Sequence, residues 1–393
     1  MLPPYIFVDG DLLGRYNDIK YYKREENLMF YKPFKNIQLS GLGMGAMRLP
    51  MKDKDHIDEV KSHEIFDKAY ASGINYFDTA YVYNGGDSER CLGAWMKKYP
   101  RDSFYVASKF NVNANPNYEE VFEEQLKRLQ TDRIDFYLIH CLMDSNVDKY
   151  IDGGCIEYFR KQQELGRITY LGFSTHASTA TTARFADYTQ WDFAQIQMNY
   201  YDWVYGTAKE EYEILQGRNI PIMVMEPVRG GRLATLTPEV TKMLQAVHPD
   251  WSMASWALRF VKSHPQVQVI LSGMSAMDQL EDNLATFAQA GGLSEQDMLT
   301  LLEAGDLFKK QIQVPCTGCR YCVAECPMNI NIPAYLEAYN TYKVDGPWAL
   351  SGLEKVESQG KFTDCIGCGA CTGHCPQNID IPGIMAELKE AAE

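Results

Sequence analysis

The chain has 393 residues, 46% of them hydrophobic and 23% charged, enough to bury more than one core. Its formal net charge of -14 opposes phosphate backbones and anionic lipid surfaces, and no run of 18 apolar residues occurs. Neither nucleic acid nor membrane is expected as a partner, and the N-terminal stretch lacks the basic, apolar, small-residue order of a secretory signal, which points to the cytoplasm.

Residues 1–34 begin with a segment rich in Tyr, Lys and Glu that fits no repeating plan and reads as an N-terminal extension. From Lys35 onward, short apolar runs alternate with amphipathic stretches. SGLGMGA opens the series, and INYFDTA, SFYVASKF, RIDFYLIH, TYLGFST, FAQIQMNY, IPIMVMEP and QVQVILSG follow as strand candidates. Helix-like segments such as HIDEVKSHEIFDKAYASG, YEEVFEEQLKRLQ, CIEYFRKQQELG and WSMASWALRFVKSHP lie between them, several stopped by Gly or Pro. Eight βα units over 35–292 predict a (β/α)8 TIM barrel. An open doubly wound sheet is the alternative, weakened by the lack of a GxGxxG turn after a first strand.

LSEQDMLTLLEAGDLFKKQ then reads as a helix leading out of the barrel, the start of a second unit over 293–393. Within it CTGCRYCVAECPMNINIPAYLEAY and CIGCGACTGHCPQNIDIPGIMAEL are one design used twice. Cys316, Cys319, Cys322 and Cys326 have the spacing C-x2-C-x2-C-x3-C-P, repeated by Cys365, Cys368, Cys371 and Cys375. Two-residue gaps let three thiolates on a tight loop face one cubane while the fourth serves the other cluster. Cys316, Cys319, Cys322 and Cys375 would then hold one 4Fe-4S cluster, and Cys365, Cys368, Cys371 and Cys326 a second. Two zinc sites are the alternative, disfavoured by the third cysteine at a two-residue gap and the closing CP. Cys91, Cys141 and Cys155, scattered through the barrel region, read as ordinary buried thiols.

These repeats resemble bacterial-type ferredoxins with two 4Fe-4S clusters. The segment between them is longer than compact ferredoxins use and looks helical, so the unit is closer to the mainly α-helical ferredoxin-like modules attached to larger oxidoreductases.

FDTAYVYNGGDSE, ASKF and DFYLIH carry an independent constellation, supported by GLGMGAMRL, SERCLGAWM, RLQTDRIDFYLIH, GRITYLGFS and EDNL. Here the chain resembles the aldo-keto reductase family. The resemblance implies a catalytic tetrad of Asp78, Tyr83, Lys109 and His140. A carbonyl accepting hydride needs a proton on its oxygen. In the family's chemistry Tyr83 supplies it, Lys109 lowers the phenol's pKa, Asp78 holds the lysine and His140 orients the substrate oxygen.

The resemblance also implies nicotinamide binding, by NADH or NADPH: Ser174, Thr175 and Gln195 at the carboxamide, Gly45 and Ala46 near the ribose, Asn283 at the adenine side. Thr175 stands where the family prefers Asn, and Met225 where many members stack a tyrosine. SGMSAMDQLEDN offers no Lys or Arg to a 2'-phosphate.

A hydride moves two electrons together and a 4Fe-4S cluster one, so direct exchange needs a mediator such as a flavin, for which the chain has no motif of its own. The expected function is reversible carbonyl/alcohol hydride transfer on a small molecule, the clusters exchanging electrons with a redox protein. The alternatives are a nicotinamide-only reductase with structural clusters and a non-enzymatic electron-transfer or redox-sensing module. Tyr200, Tyr201 and Trp203 either line the barrel mouth, which would suit an apolar or aromatic carbonyl, or pack locally. Arg48 either meets an acidic substrate or forms a surface ion pair.

Overall fold

The computed structural model describes residues 20–24, 27–53, 56–288, 291–310, 312–345 and 347–392. The strands, in chain order, are β1 (Lys20–Arg24), β2 (Asn27–Phe34), β3 (Ile37–Ser40), β4 (Leu42–Gly45), β5 (Tyr76–Asp78), β6 (Tyr105–Phe110), β7 (Ile134–Leu142), β8 (Ile168–Thr175), β9 (Phe193–Gln197), β10 (Ile222–Met225) and β11 (Val267–Ser272). β4 to β11 close into a parallel barrel, β11 pairing with β4, as the eight-unit reading requires. Every residue of β7 is buried, because the barrel interior takes one face and the surrounding helices the other.

Successive residues of a strand point to opposite faces, and that alternation decides what the barrel encloses. Tyr76, Ala107, Phe136, Leu138, Tyr170, Phe193, Met223, Val269 and Leu271 form the inner core. Their neighbours Phe77, Val106, Tyr137, Ile139, Leu171, Ala194, Val224 and Ile270 join the outer core beneath the helices. The floor is supplied by the hairpin of β2 and β3, which pair antiparallel. Phe34 enters the inner core with its ring 5.4 Å from Phe136 and 5.0 Å from Tyr170. Burying one such side chain contributes roughly 1.5–3 kcal/mol. β1 pairs with β2; residues 1–19 of the extension lie outside the described residues.

Local chemistry starts the helices where the sequence predicts them. Asp58 accepts from the Lys61 amide at the head of Glu59–Ala71, Asn117 from Glu120 before Tyr118–Leu129, and Ser252 from Ser255 before Met253–Lys262. Glu295–Lys309 opens with a reciprocal Ser294–Asp297 capping box. It packs Leu301, Ala304 and Phe308 onto the outer core of the barrel.

The carboxy-terminal unit is helical, with Tyr321–Ala324, Ile332–Asp345, Ala370–Gly373 and Ile381–Ala392 packed around a separate core. Its duplication is visible in the backbone. Gly318, Arg320 and Asn329 have φ of 66°, 68° and 53°, and their counterparts Gly367, Gly369 and Asn378 have 69°, 74° and 51°. Both cysteine loops therefore make the same left-handed turns, at one of which Arg320 takes a conformation that suits glycine. Among the described residues no helix is long and apolar enough to cross a membrane.

Candidate active site and cluster centre

The alternation that buries Tyr76, Ala107 and Phe136 inside the barrel carries Asp78, Lys109 and His140 inward at the carboxyl ends of three consecutive strands. Lys109, with no exposed surface, donates from Nζ to Asp78 Oδ1 at 2.5 Å and to the Thr79 carbonyl at 2.6 Å. Tyr83 follows β5 in a short 3-10 turn. Lys109 Nζ lies 4.9 Å from its ring centroid, and the His140 ring stands edge-on at 5.8 Å. The four residues implied by the family resemblance are thus brought together. Asp78 Oδ2 and His140 Nδ1 are buried without a hydrogen-bond partner.

Burial raises the Asp78 carboxyl against the pull of Lys109, and lowers the Lys109 ammonium against the pull of Asp78. His140 is pushed well below the ordinary histidine value by burial and by the Lys109 charge, so it stays neutral. Tyr83 is raised well above the ordinary phenol value, by burial first and then by Asp78 and other nearby acidic groups. That direction is opposite to the lowering expected from Lys109, whose ammonium is engaged by Asp78 and Thr79.

Behind Lys109 stands a polar network to which sequence reasoning gave no role. Ser108, on the outward face of β6, donates to Glu89 at 2.5 Å; Gln125 donates to Glu89 at 2.8 Å and to the Lys109 carbonyl at 3.1 Å; Tyr137 donates to Gln125 at 2.5 Å. Arg128 pairs with the fully buried Glu89 at 3.1 Å and donates to the Tyr81 carbonyl at 3.0 Å. The signal was available: Ser108 and Gln125 are polar at positions where strand and helix alternation ask for apolar residues.

An open cleft at the barrel mouth is lined by Gly45, Arg48, Asp78, Tyr83, Gln195, Met225, Glu226, Val228, Gly230 and Gly231, and by Ser272–Ser275, Gln279, Asp282 and Asn283. Gln195 donates to Met225 Sδ at 3.4 Å, and its Oε1 is buried without a partner. Asn283 is buried and donates to Ser272 Oγ at 3.0 Å. The other expected contacts are placed differently. Ala46 is buried beneath the cleft, its amide bonded to the Asp78 carbonyl at 2.7 Å. Ser174 points inward, but its hydroxyl accepts from the Cys141 amide at 2.8 Å. Thr175, one residue on, faces outward and meets Thr182 of the flanking helix at 2.9 Å.

Of the two readings for the aromatic run, packing holds. Trp203 lies against Tyr212, Phe260 and His264, Tyr200 against Phe260, and Tyr201 against Phe308. Arg48, about one-third exposed, has its guanidinium committed within the protein: its Nη2 donates to the Thr317 carbonyl at 3.0 Å and lies 3.7 Å from Glu226 as an ion pair.

The cysteines fall into two sets. Cys316, Cys319 and Cys322 are raised by burial, Cys319 to about 11, and each is raised further by Cys375, Cys322 by Cys371 as well. Cys326, Cys365, Cys368 and Cys371 line one small pocket walled by Met328, Ile330, Ile381 and Met385. Among the described residues no three His, Cys, Asp or Glu side chains are grouped for a single metal ion. Four soft thiol donors around an apolar enclosure suit an iron-sulfur cube, since burial disfavours a free thiolate and a bound cationic centre restores it. Cys91, Cys141 and Cys155 are buried in the barrel and raised to about 12 by burial, as ordinary thiols.

Residues 41–305 match the aldo/keto reductase family, and residues 315–379 match the 4Fe-4S dicluster domain. An uncharacterized oxidoreductase of Bacillus subtilis, YqkF, is 25% identical over 68% of this chain and 92% of its own length. A probable aldo-keto reductase of Glycine max is also 25% identical, over 68% of this chain and 86% of its own. Among solved structures, the aldo-keto reductase AKR11C1 of Bacillus halodurans in its holo form superposes with a TM-score of 0.60 at 25% identity, covering 70% of this chain and 96% of that one. The two halves meet in a single conclusion: the chain is an oxidoreductase that belongs to the aldo/keto reductase family and carries a 4Fe-4S dicluster domain at its carboxy-terminal side.

Proposed function

We propose that the barrel transfers hydride reversibly between a nicotinamide dinucleotide and a small carbonyl or alcohol, with Tyr83 as the proton donor to the carbonyl oxygen. The observation that carries this reading is Lys109, held 2.5 Å from Asp78 and 4.9 Å from the Tyr83 ring at the carboxyl end of the barrel. A bound nicotinamide supplies the hydride. The chain's own residues do the rest. Tyr83 keeps its proton at neutral pH because burial disfavours phenolate, and neutral His140 hydrogen-bonds the substrate oxygen beside it.

The cleft fits a dinucleotide. Gln195 Oε1, buried and unpartnered, is an acceptor suited to a carboxamide N–H, and Asn283 lines the same cleft. Beside Asn283 the described lining offers Gln279 and Asp282 to a 2'-phosphate, which favours NADH over NADPH.

In the carboxy-terminal unit we assign Cys316, Cys319, Cys322 and Cys375 to one 4Fe-4S cluster and Cys365, Cys368, Cys371 and Cys326 to a second. The proximity of Cys375 to the first loop and the pocket shared by Cys326 with the second support this crossing. Cys368 is exposed beside Ile366, itself 65% exposed, which makes the second loop the face for a one-electron protein partner. A flavin would bridge paired and single electrons; cofactor released on anaerobic denaturation reports whether one is bound.

The test is Tyr83→Phe in anaerobically purified protein. Carbonyl reduction should fall by about 100-fold or more while iron stays at about eight per chain. A variant with full turnover removes the tetrad assignment.

A further inference from the structure

The segment from Glu226 to Arg232 has two faces. Through Glu226, Val228, Gly230 and Gly231 it walls the cleft. On its other face it grips the first cysteine loop: Arg229 Nη1 donates to the Pro315 carbonyl at 3.0 Å and Arg232 Nε to the Cys316 carbonyl at 2.5 Å. Arg48, from the loop after β4, donates to the next carbonyl, Thr317, at 3.0 Å. Three guanidinium groups thus hold three successive peptide carbonyls that lead into Cys319.

The contact is close as well as charged. Gly230 has φ of +67°, and a Cβ there would stand 1.9 Å from the Thr317 carbonyl oxygen, so only glycine lets the two backbones meet. Arg229 Nη2 also donates at 3.0 Å to Gln377, two residues after Cys375, and Gln377 donates to Gln197 on β9 at 3.0 Å. Arg48 is shared. Its Nη2 faces Glu226 inside the cleft, and its stem runs alongside Gly273, another residue of the cleft lining.

We propose that the cleft wall and the Cys316–Cys322 loop act as one electrostatic unit, so that dinucleotide binding and one-electron reduction of the cluster on that loop oppose each other. This inference rests on the assignments of a dinucleotide to the cleft and a 4Fe-4S cluster to the loop. Reduction, with dithionite as the electron donor, adds one negative charge beside Arg48, Arg229 and Arg232. A dinucleotide brings a pyrophosphate to a cleft in which Arg48 is the guanidinium on the wall. Both additions of negative charge draw on Arg48, which reaches from the cleft wall to the Thr317 carbonyl of the loop, and they repel each other. By linkage the effect is reciprocal: reduction weakens the dinucleotide, and the dinucleotide makes reduction harder by the same factor.

The test uses ADP-ribose, which has the adenosine and pyrophosphate of the dinucleotide but no nicotinamide and so exchanges no electrons. It is titrated calorimetrically into the anaerobic full-length protein, oxidised and after dithionite reduction. The dissociation constant should rise about fivefold on reduction, with a matching fall in the reduction midpoint read from the visible iron-sulfur absorption when ADP-ribose is present. Arg232→Gln, outside the cleft, should bring the ratio of dissociation constants towards one; if that variant loses iron, Gln377→Ala is the second test of the same clasp. Equal affinity in both redox states overturns the linkage and leaves the dinucleotide site standing. Failure of ADP-ribose and NADH to bind in either state overturns both.

Discussion

Lys109 and Asp78 form an ion pair inside the barrel, 2.5 Å from nitrogen to oxygen, with the lysine wholly buried and the carboxylate nearly so. Such a pair is costly to halve. Asp78→Asn or Lys109→Met leaves its partner uncompensated in a dry site, at a cost of about 3–5 kcal/mol. Both variants should unfold earlier in anaerobic urea titrations and lose at least about 100-fold in carbonyl reduction. Retained stability in either would show that water or a neighbour takes the missing partner's place.

One part of the pH dependence comes from three histidines, His140 buried and His176 and His264 half-buried. His140 is held well below its ordinary value, and burial lowers His176 and His264 from 6.5 to about 4. Each is neutral when folded and takes up a proton more readily when unfolded, so the unfolded chain binds more protons between pH 4 and 6.5. The histidine contribution to stability should therefore be fully present above about 6.5 and be lost towards 4, while Glu211, raised by burial from 4.5 to about 8, contributes with the opposite slope; His264→Gln should remove part of the histidine contribution. Intrinsic fluorescence during urea unfolding at a series of pH values measures it. Carbonyl reduction itself should stay level from neutral pH to about 9, because Tyr83 is raised well above 10 and keeps its proton.

The family resemblance pointed to Asp78, Tyr83, Lys109 and His140 before any coordinates, and strand alternation explains why they come together. Asp78, Lys109 and His140 fall at the ends of consecutive strands and share the inward face with Tyr76, Ala107 and Phe136. The same rule explains Thr175: it neighbours the inward Ser174 and must therefore face the helices. The arginine clasp was illegible for a different reason. Arg48, Arg229 and Arg232 are distant from residues 315–317 in sequence, and what they recognise is peptide carbonyls, which leave no side-chain pattern. The aromatic run Tyr200–Trp203 was ambiguous because the packing partners Phe260 and Phe308 come from helices much later in the chain.

Gly230 tests the junction by steric means. Gly230→Ala adds a methyl group 1.9 Å from the Thr317 oxygen, at a φ of +67° that itself costs an L-residue about 1–2 kcal/mol. The first cysteine loop has to lift away from the barrel. The variant should keep barrel circular dichroism but lose its iron faster on exposure to air, followed as bleaching of the visible band. Wild-type bleaching kinetics would mean that the contact between the two units is dispensable.

The proposed crossed ligation would make the two repeats separable by mutation. Cys326 belongs to the first repeat in sequence yet lines the pocket with Cys365, Cys368 and Cys371, while Cys375 of the second repeat lies with Cys316, Cys319 and Cys322. If ligands followed sequence, Cys326→Ser would disturb the cluster beside Arg232 and the barrel mouth; if they cross, it disturbs the exposed one beside Cys368. Cys375→Ser should do the reverse. Electron paramagnetic resonance of the dithionite-reduced proteins distinguishes these outcomes, since two neighbouring reduced clusters couple magnetically and a single survivor gives a simple signal. Adding Arg232→Gln to each variant identifies the survivor. Its signal should shift in the Cys326→Ser background, where the remaining cluster sits on the loop whose Cys316 carbonyl Arg232 holds, and stay unchanged in the Cys375→Ser background. The opposite pattern would return each fourth cysteine to its own repeat.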